Sequence, residues 1–168
     1  MASMFLDITD RKRGQEELER SEQLYRAMFD TITNGVAVYK AINNGKNFVF
    51  VDFNKGAETI EKIDRKDVIG KKVTNVFPGV KKIGLFDVFR KVYFTGKSLS
   101  HPIKFYEDNR ISGWRENYVY KLPSEEIFAV YEDITEIKRS EEALKLQQAY
   151  LERLIESAPE AIVLLDNN

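Results

Sequence analysis

Phe128-Ala129-Val130-Tyr131-Glu132-Asp133-Ile134-Thr135-Glu136 runs from an apolar, strand-like stretch straight into a charged, helix-like one, and its last four residues are echoed near the start as Asp7-Ile8-Thr9-Asp10. The echo lies 126 positions upstream, residue 7 against residue 133, and stays aligned without a gap. Lys12-Arg13 falls on Lys138-Arg139, Leu18 on Leu144, Met28 on Leu154, and Val36-Ala37-Val38 on Ile162-Val163-Leu164. Self-similarity at a fixed long spacing is the mark of a tandem repeat. Residues 1–8 then read as a short appended tag, Met1-Ala2-Ser3, followed by the stump of a preceding strand at Met4-Phe5-Leu6. Residues 9–33 form a linker helix, 34–135 one whole unit, and 136–157 a second linker helix. Residues 158–168 begin a further unit, with a strand over Ala161 to Leu165. In each copy the threonine, Thr9 or Thr135, is placed to cap the helix that follows, with Asp133 and Ile134 bridging strand and helix.

Both linker stretches carry apolar residues seven apart: Leu18, Tyr25 and Ile32 with Met28 beside them, then Ile137, Leu144 and Leu151. Charged residues flank each narrow stripe, which is the pattern of a two-helix seam, and a parallel dimer of this chain is the expectation. Packing of each helix on its own domain is the alternative.

Between the linkers the pattern changes. Asn34-Gly35 breaks the first helix, and Val36 to Ile42 and Phe48 to Phe53 read as a hairpin around Asn43-Asn44-Gly45. Asn54 is the expected cap of a helix over Lys55 to Ile63; shorter pieces follow at Asp64 to Val68 and Val73 to Phe77. The longest helix of the middle region, Leu85 to Phe94, ends at Gly96. Three strand-like runs close the unit: Ser100 to Tyr106, Trp114 to Leu122 and Ile127 to Glu132. Two strands, a helical crossover and three strands fit an α+β fold, a five-stranded antiparallel sheet with helices on one face.

Composition narrows the function classes. The net charge of −1, from 26 basic and 27 acidic side chains, leaves no field to attract nucleic acid. The absence of cysteine removes disulfides, thiolate metal sites and thiol catalysis, and suits a reducing, cytoplasmic setting. No stretch of this fragment nears the roughly 18 apolar residues of a membrane span. Glycines stand singly, so no phosphate loop is built, and no metal-ligand spacing occurs. The one histidine, His101, starts a strand and reads as an exposed or edge residue. Ser100 beside it makes no nucleophile and base pair, because strand neighbours point to opposite faces.

Taken in order, Asp52-Phe53-Asn54, Arg65-Lys66-Asp67-Val68-Ile69-Gly70-Lys71, Val76-Phe77-Pro78-Gly79, Thr95-Gly96, Gly113-Trp114 and Phe128 to Thr135 resemble a PAS domain, of the sensory-box type that occurs in strings upstream of histidine kinases. The match covers about Thr31 to Thr135. The resemblance implies a non-catalytic sensor or relay module of a multi-domain signalling protein, with adjacent PAS and effector domains as partners and a possible small-molecule ligand. A ligand-free domain serving only as dimerisation scaffold or spacer is the alternative, and a small enzyme on a similar cup finds no acid-base or nucleophile constellation. Flavin members that form a thiol adduct need a cysteine, and haem members use a histidine on the long helix. Neither residue is present there, and the resemblance names no cofactor.

The family's pocket lies between sheet and helices. Phe86, Phe89 and Tyr93 on the long helix, Phe105 on the third strand, and Phe128 and Val130 on the last are its apolar candidates. Alternation along the fourth strand separates Trp114, Glu116, Tyr118, Tyr120 and Leu122 from Arg115, Asn117, Val119 and Lys121. By resemblance the second set faces the helices, where Arg115 and Asn117 suit a polar or anionic ligand such as a carboxylate. The reversed reading, with Trp114 and the tyrosines in the core, is equally open to the sequence. At the exit, Asp133, Ile134 and Thr135 are the expected signal junction.

Overall fold

Asn43, Asn44 and Gly45 all adopt positive φ (51°, 54° and 71°), and this turn folds β1 (Gly35–Ile42) back onto β2 (Asn47–Phe53) in the computed structural model of the chain, which describes residues 2–157 with side chains from Ile8 onward. Asparagine and glycine tolerate that left-handed backbone at little cost. The chain then crosses through α2 (Lys55–Glu61), α3 (Arg65–Val68), α4 (Val73–Val76), a 3₁₀ turn (Pro78–Val80) and α5 (Leu85–Thr95). It returns as β3 (Leu99–Glu107), β4 (Ser112–Lys121) and β5 (Ile127–Asp133), and leaves in α6 (Thr135–Ser157). All pairings are antiparallel, in the order β2-β1-β5-β4-β3. The expected five-stranded α+β sheet is therefore the observed one.

First and last strands are neighbours. Gly35 pairs with Tyr131, so the chain enters before β1 and leaves after β5 at the same end of the sheet. Two apolar layers follow from the pleat. On the helix side, Ala37, Tyr39, Phe48, Phe50, Phe89 and Val119 belong to one buried cluster. On the other side, Val36 and Val38 are buried under Phe29 of α1 (Ala2–Thr31), with Leu122, Phe128 and Val130 packed around them.

Three sequence expectations change. Helix α1 starts at Ala2, so Met4-Phe5-Leu6 is helical rather than a strand stump, and Thr9 lies within the helix rather than at its cap. A helix pairs its backbone groups within the segment and needs no neighbouring strand. Phe128 and Val130 lie on the outer face, because Ile127, Ala129 and Tyr131 take the inward positions of β5. Phe105 is 45% exposed, its ring 5.5 Å from that of Trp114. Its reversal has a local cause: β3 is bulged between His101 and Lys104, around Pro102, and the extra residue turns Phe105 outward and Tyr106 inward. The strand expected over Ala161 to Leu165, with all of 158–168, lies outside the described residues.

Asn54 ties these parts together. Its Oδ1 accepts from the amides of Ala57 and Val36, both at 2.8 Å, capping α2 and holding the start of β1. Its Nδ2 donates to the carbonyls of Phe29, Ile32 and Asn34 at 3.0–3.1 Å, which fixes the exit of α1. Gly56, two residues on, lets α2 approach that segment, since a Cβ there would collide with the Asn34 carbonyl oxygen. Asn54→Ala is expected to lower the free energy of unfolding by about 3 kcal/mol, from a lost cap plus stranded backbone groups. Urea denaturation measures this, and a loss below about 1 kcal/mol would mean that water replaces the amide.

Candidate functional site

The inward alternation of β4 is now settled: Arg115, Asn117 and Val119 face the helices and are buried, whereas Tyr118 and Tyr120 are exposed on the outer face. Beneath the helices lies a cavity of about 50 Å³. One wall is apolar, from Val73, Phe77, Val80, Ile83, Leu85 and Phe89. The other is polar, from Tyr39, Glu61, Tyr106, Arg115, Asn117 and Tyr131. Of the expected candidates, Phe89, Arg115 and Asn117 line it. Phe86, Tyr93 and Val119 pack in the surrounding core, and Phe105, Phe128 and Val130 are on the far side of the sheet.

Arg115 is not the free cation that an anion pocket would offer. Its Nε lies 3.5 Å from Glu61 Oε1, and its Nη1 lies 2.9 Å from Asp133 Oδ1 and donates to the Trp114 carbonyl at 3.3 Å. Burial raises the Glu61 carboxyl to about 7 against the pull of Arg115, whose charge is shared with Asp133. Tyr131 and Tyr39 are both pushed above the usual phenol range by burial, so both stay protonated. Tyr106 is raised as well, first by burial and then by its 2.8 Å hydrogen bond to Asp108.

Among the described residues, two buried side-chain atoms have no hydrogen-bond partner, Asn117 Nδ2 and His101 Nδ1. His101 is thus buried rather than exposed, although it does lie on an edge strand. Its Nε2 is 2.9 Å from the Ile83 carbonyl, because the loop before α5 folds over it. No cluster of metal-binding side chains occurs among the described residues.

The cavity touches the exit of the domain directly. Asp133 Oδ1, held by Arg115, accepts the Thr135 amide at 3.0 Å and the Thr135 hydroxyl. The Thr135 oxygen in turn accepts the Trp114 amide at 2.9 Å, and the Ile134 amide donates to the Trp114 carbonyl at 3.0 Å. Asp133, rather than Thr135, is therefore the capping group of α6, and the threonine fastens the helix to β4. Gly113 permits this crowding, since a Cβ there would fall 2.4 Å from Thr135 Oγ1.

The entry has its own ionic anchor. Asp52 receives Arg26 of α1 at 3.0 Å, Arg65 of α3 at 2.8 Å and the Tyr25 hydroxyl at 3.3 Å. Burial raises its carboxyl, but the hydrogen bonds from Arg26 and Arg65 outweigh this and hold it below the usual range. Of the seam residues, Leu18, Met28, Ile137, Leu144 and Leu151 are exposed, while Tyr25 is half exposed and stacks on Phe29. No residue of α6 is buried.

A family model described as a PAS domain matches residues 23–82, from the end of α1 through the 3₁₀ turn. The chain carries a PAS domain. The fold says the same along its remaining length. A domain of the sensory box sensor histidine kinase/response regulator from Geobacter sulfurreducens superposes with a TM-score of 0.53 at 17% identity, covering 69% of this chain and 96% of that one. The PAS domain of a Colwellia psychrerythraea protein gives 0.53 at 17% identity, over 71% and 98%. That of an HTR-like protein from Haloarcula marismortui gives 0.53 at 17%, over 73% and 99%. No curated protein matches by sequence. Among the described residues, no helix is long and apolar enough to cross a membrane.

Residue type alone missed Glu61, Tyr39 and Tyr131. Glu61 had one signal: it lies four positions after Ala57, on the same face of α2, and both are buried. Its raised pKa sets a pH dependence. The folded PAS domain holds a proton on Glu61 between 4.5 and about 7, which the unfolded chain releases. The stabilisation is complete below 4.5 and is lost as pH rises through about 7. Glu61→Gln is expected to remove about 2–3 kcal/mol of the fall in unfolding free energy over that window. Parallel stability curves for the two proteins would place the Glu61 titration back in the ordinary range.

Proposed function

We propose that this PAS domain is a non-catalytic sensing and relay module of a multi-domain signalling protein, with a histidine kinase as the parent that best suits it. The observation that carries the reading is the double engagement of Arg115, which lines the cavity and also holds Asp133, the cap of α6. A molecule entering the cavity competes for, or repositions, the Arg115 guanidinium. The consequence reaches the first turn of the outgoing helix through one ion pair and one cap. Such a change shifts an equilibrium only by the ligand's difference in affinity for the two arrangements. The kinase parent is supported by the Geobacter sulfurreducens structure, which belongs to a sensor histidine kinase/response regulator.

The relay is testable without knowing the ligand. Asp133→Ala is expected to speed amide hydrogen exchange at residues 135–138 by about tenfold, the factor that matches ~1.4 kcal/mol of lost capping. Arg115→Met, a change made inside the cavity, is expected to do the same while β1 and β2 keep their protection. An effect of Asp133→Ala with none from Arg115→Met would separate the cap from the cavity and remove the relay.

A second part of the reading concerns assembly. Leu18 and Met28 of α1 and the seven-spaced Ile137, Leu144 and Leu151 of α6 are open to solvent, as a helical seam with a second copy would require. We infer a parallel dimer through these helices, which also reach toward neighbouring PAS and effector domains. Leu18→Glu combined with Leu144→Glu is expected to turn a dimer into a monomer in multi-angle light scattering. A monomer at every concentration of the unsubstituted chain would remove the seam.

A further inference from the structure

The polar wall of the cavity is unevenly satisfied, and the pattern selects a ligand. Arg115 is already met by two carboxylates and a backbone carbonyl, with Glu61 on one side and Asp133 on the other. A carboxylate or phosphate entering beside it would add a further acidic group to a space where Asp133 and Glu61 already share a single guanidinium, under low local dielectric. The unmet group is a donor instead. Asn117 is buried at 4% exposure, lines the cavity, and its Nδ2 has no partner. A buried amide in that state gains most from an oxygen that accepts its N–H without bringing charge. A cation offers no lone pair to it and would also stand beside Arg115.

The rest of the cavity limits shape. Facing Asn117 and Arg115 are Val73, Phe77, Leu85 and Phe89, an apolar wall without a polar partner to offer. The volume of about 50 Å³ corresponds to roughly three to five waters at ~10–15 Å³ each. We infer that the cavity binds a small uncharged molecule with an accepting oxygen, such as a primary amide or alcohol, on a short alkyl body, its oxygen accepting from the Asn117 amide. This rests on the reading of the cavity as the sensory site, and of the polar or anionic ligand expected from Arg115 and Asn117 it keeps the polar alternative.

The test compares three probes of one chain length at neutral pH: propanamide, propanoate and propylammonium. Binding is read from the side-chain amide resonances of Asn117 in ¹⁵N-correlated spectra and from the melting temperature. Propanamide is expected to shift the Asn117 side-chain signals saturably and to raise the melting temperature, with the two ions at least about tenfold weaker. Asn117→Ala should remove the propanamide effect. Asn117→Thr, which keeps a donor and a closer fit, should retain part of it and guards against a loss caused by collapse of the cavity. Propanoate or propylammonium binding as tightly as propanamide would overturn the ligand class while leaving the sensory reading in place. Failure of all three at concentrations of tens of millimolar, with the protein folded, would overturn both. Propanamide binding that Asn117→Ala leaves unchanged would overturn the role of Asn117.

Discussion

A guanidinium held among apolar side chains must be neutralised where it lies, and Arg115 draws its partners from two distant parts of the chain. Glu61 comes from the end of α2 in the helical layer, and Asp133 comes from the last position of β5. Removing one partner of a buried ion pair leaves an uncompensated charge, which costs about 3–5 kcal/mol. The arrangement therefore fixes how the helices sit on the sheet and where α6 begins. Stability alone does not explain it, because an apolar trio of similar volume would do as well or better. A charge network that joins a cavity to a helix start has a use that an apolar one lacks. It can exchange partners.

The two ends of the domain are built alike. At the entry, Asp52 gathers Arg26, Arg65 and Tyr25, and Asn54 gathers the carbonyls of Phe29, Ile32 and Asn34 where α1 gives way to β1. At the exit, Asp133 gathers Arg115 and the first amide of α6. Because β1 and β5 are antiparallel neighbours, both anchors lie at one end of the sheet. A change at the incoming helix and a change in the cavity thus act on adjoining strands. The anchors differ in one respect. Asp52 is held ionised by its arginines, while Glu61, across the network from Asp133, is raised by burial toward neutral pH. The entry is an ionic clasp, and the interior is protonation-sensitive.

The sites that eluded the sequence have identifiable causes. Phe105 was misplaced by a single bulge at Pro102, which reverses the alternation halfway along β3 and depends on pairing with β4. His101 does sit on the edge strand but is buried, because the loop before α5 folds over it. Phe128 and Val130 were misplaced because both faces of β5 are apolar, one for the helical layer and one for Phe29 of α1. No pattern in residue type separates two buried faces. Thr135 was taken for a cap, but aspartate caps equally well, and only the position of Trp114 decides which of the two oxygens is free to do it.

What the sequence determined by itself was local or periodic. The positive-φ turn at Asn43 to Gly45, the cap at Asn54, the stop of α5 at Gly96 and the order of strands and helices each depend on a few adjacent residues and on their backbone preferences. The PAS resemblance rests on the same short motifs, and the order of elements carries the fold class. Tertiary structure decided which residues meet. Glu61 and Arg115 are 54 positions apart, and their pairing exists only because α2 packs on β1, which the sheet order sets two strands from β4. Whether Arg115 offers its charge to a ligand or has already spent it on Glu61 and Asp133 is a matter of distance and burial in three dimensions. The partners that Arg115 takes therefore could not be read from the chain. The Asp133-Ile134-Thr135 junction stands between the two cases: its residues announced a boundary, and the packing of Arg115 and Trp114 against it made that boundary a contact with the interior.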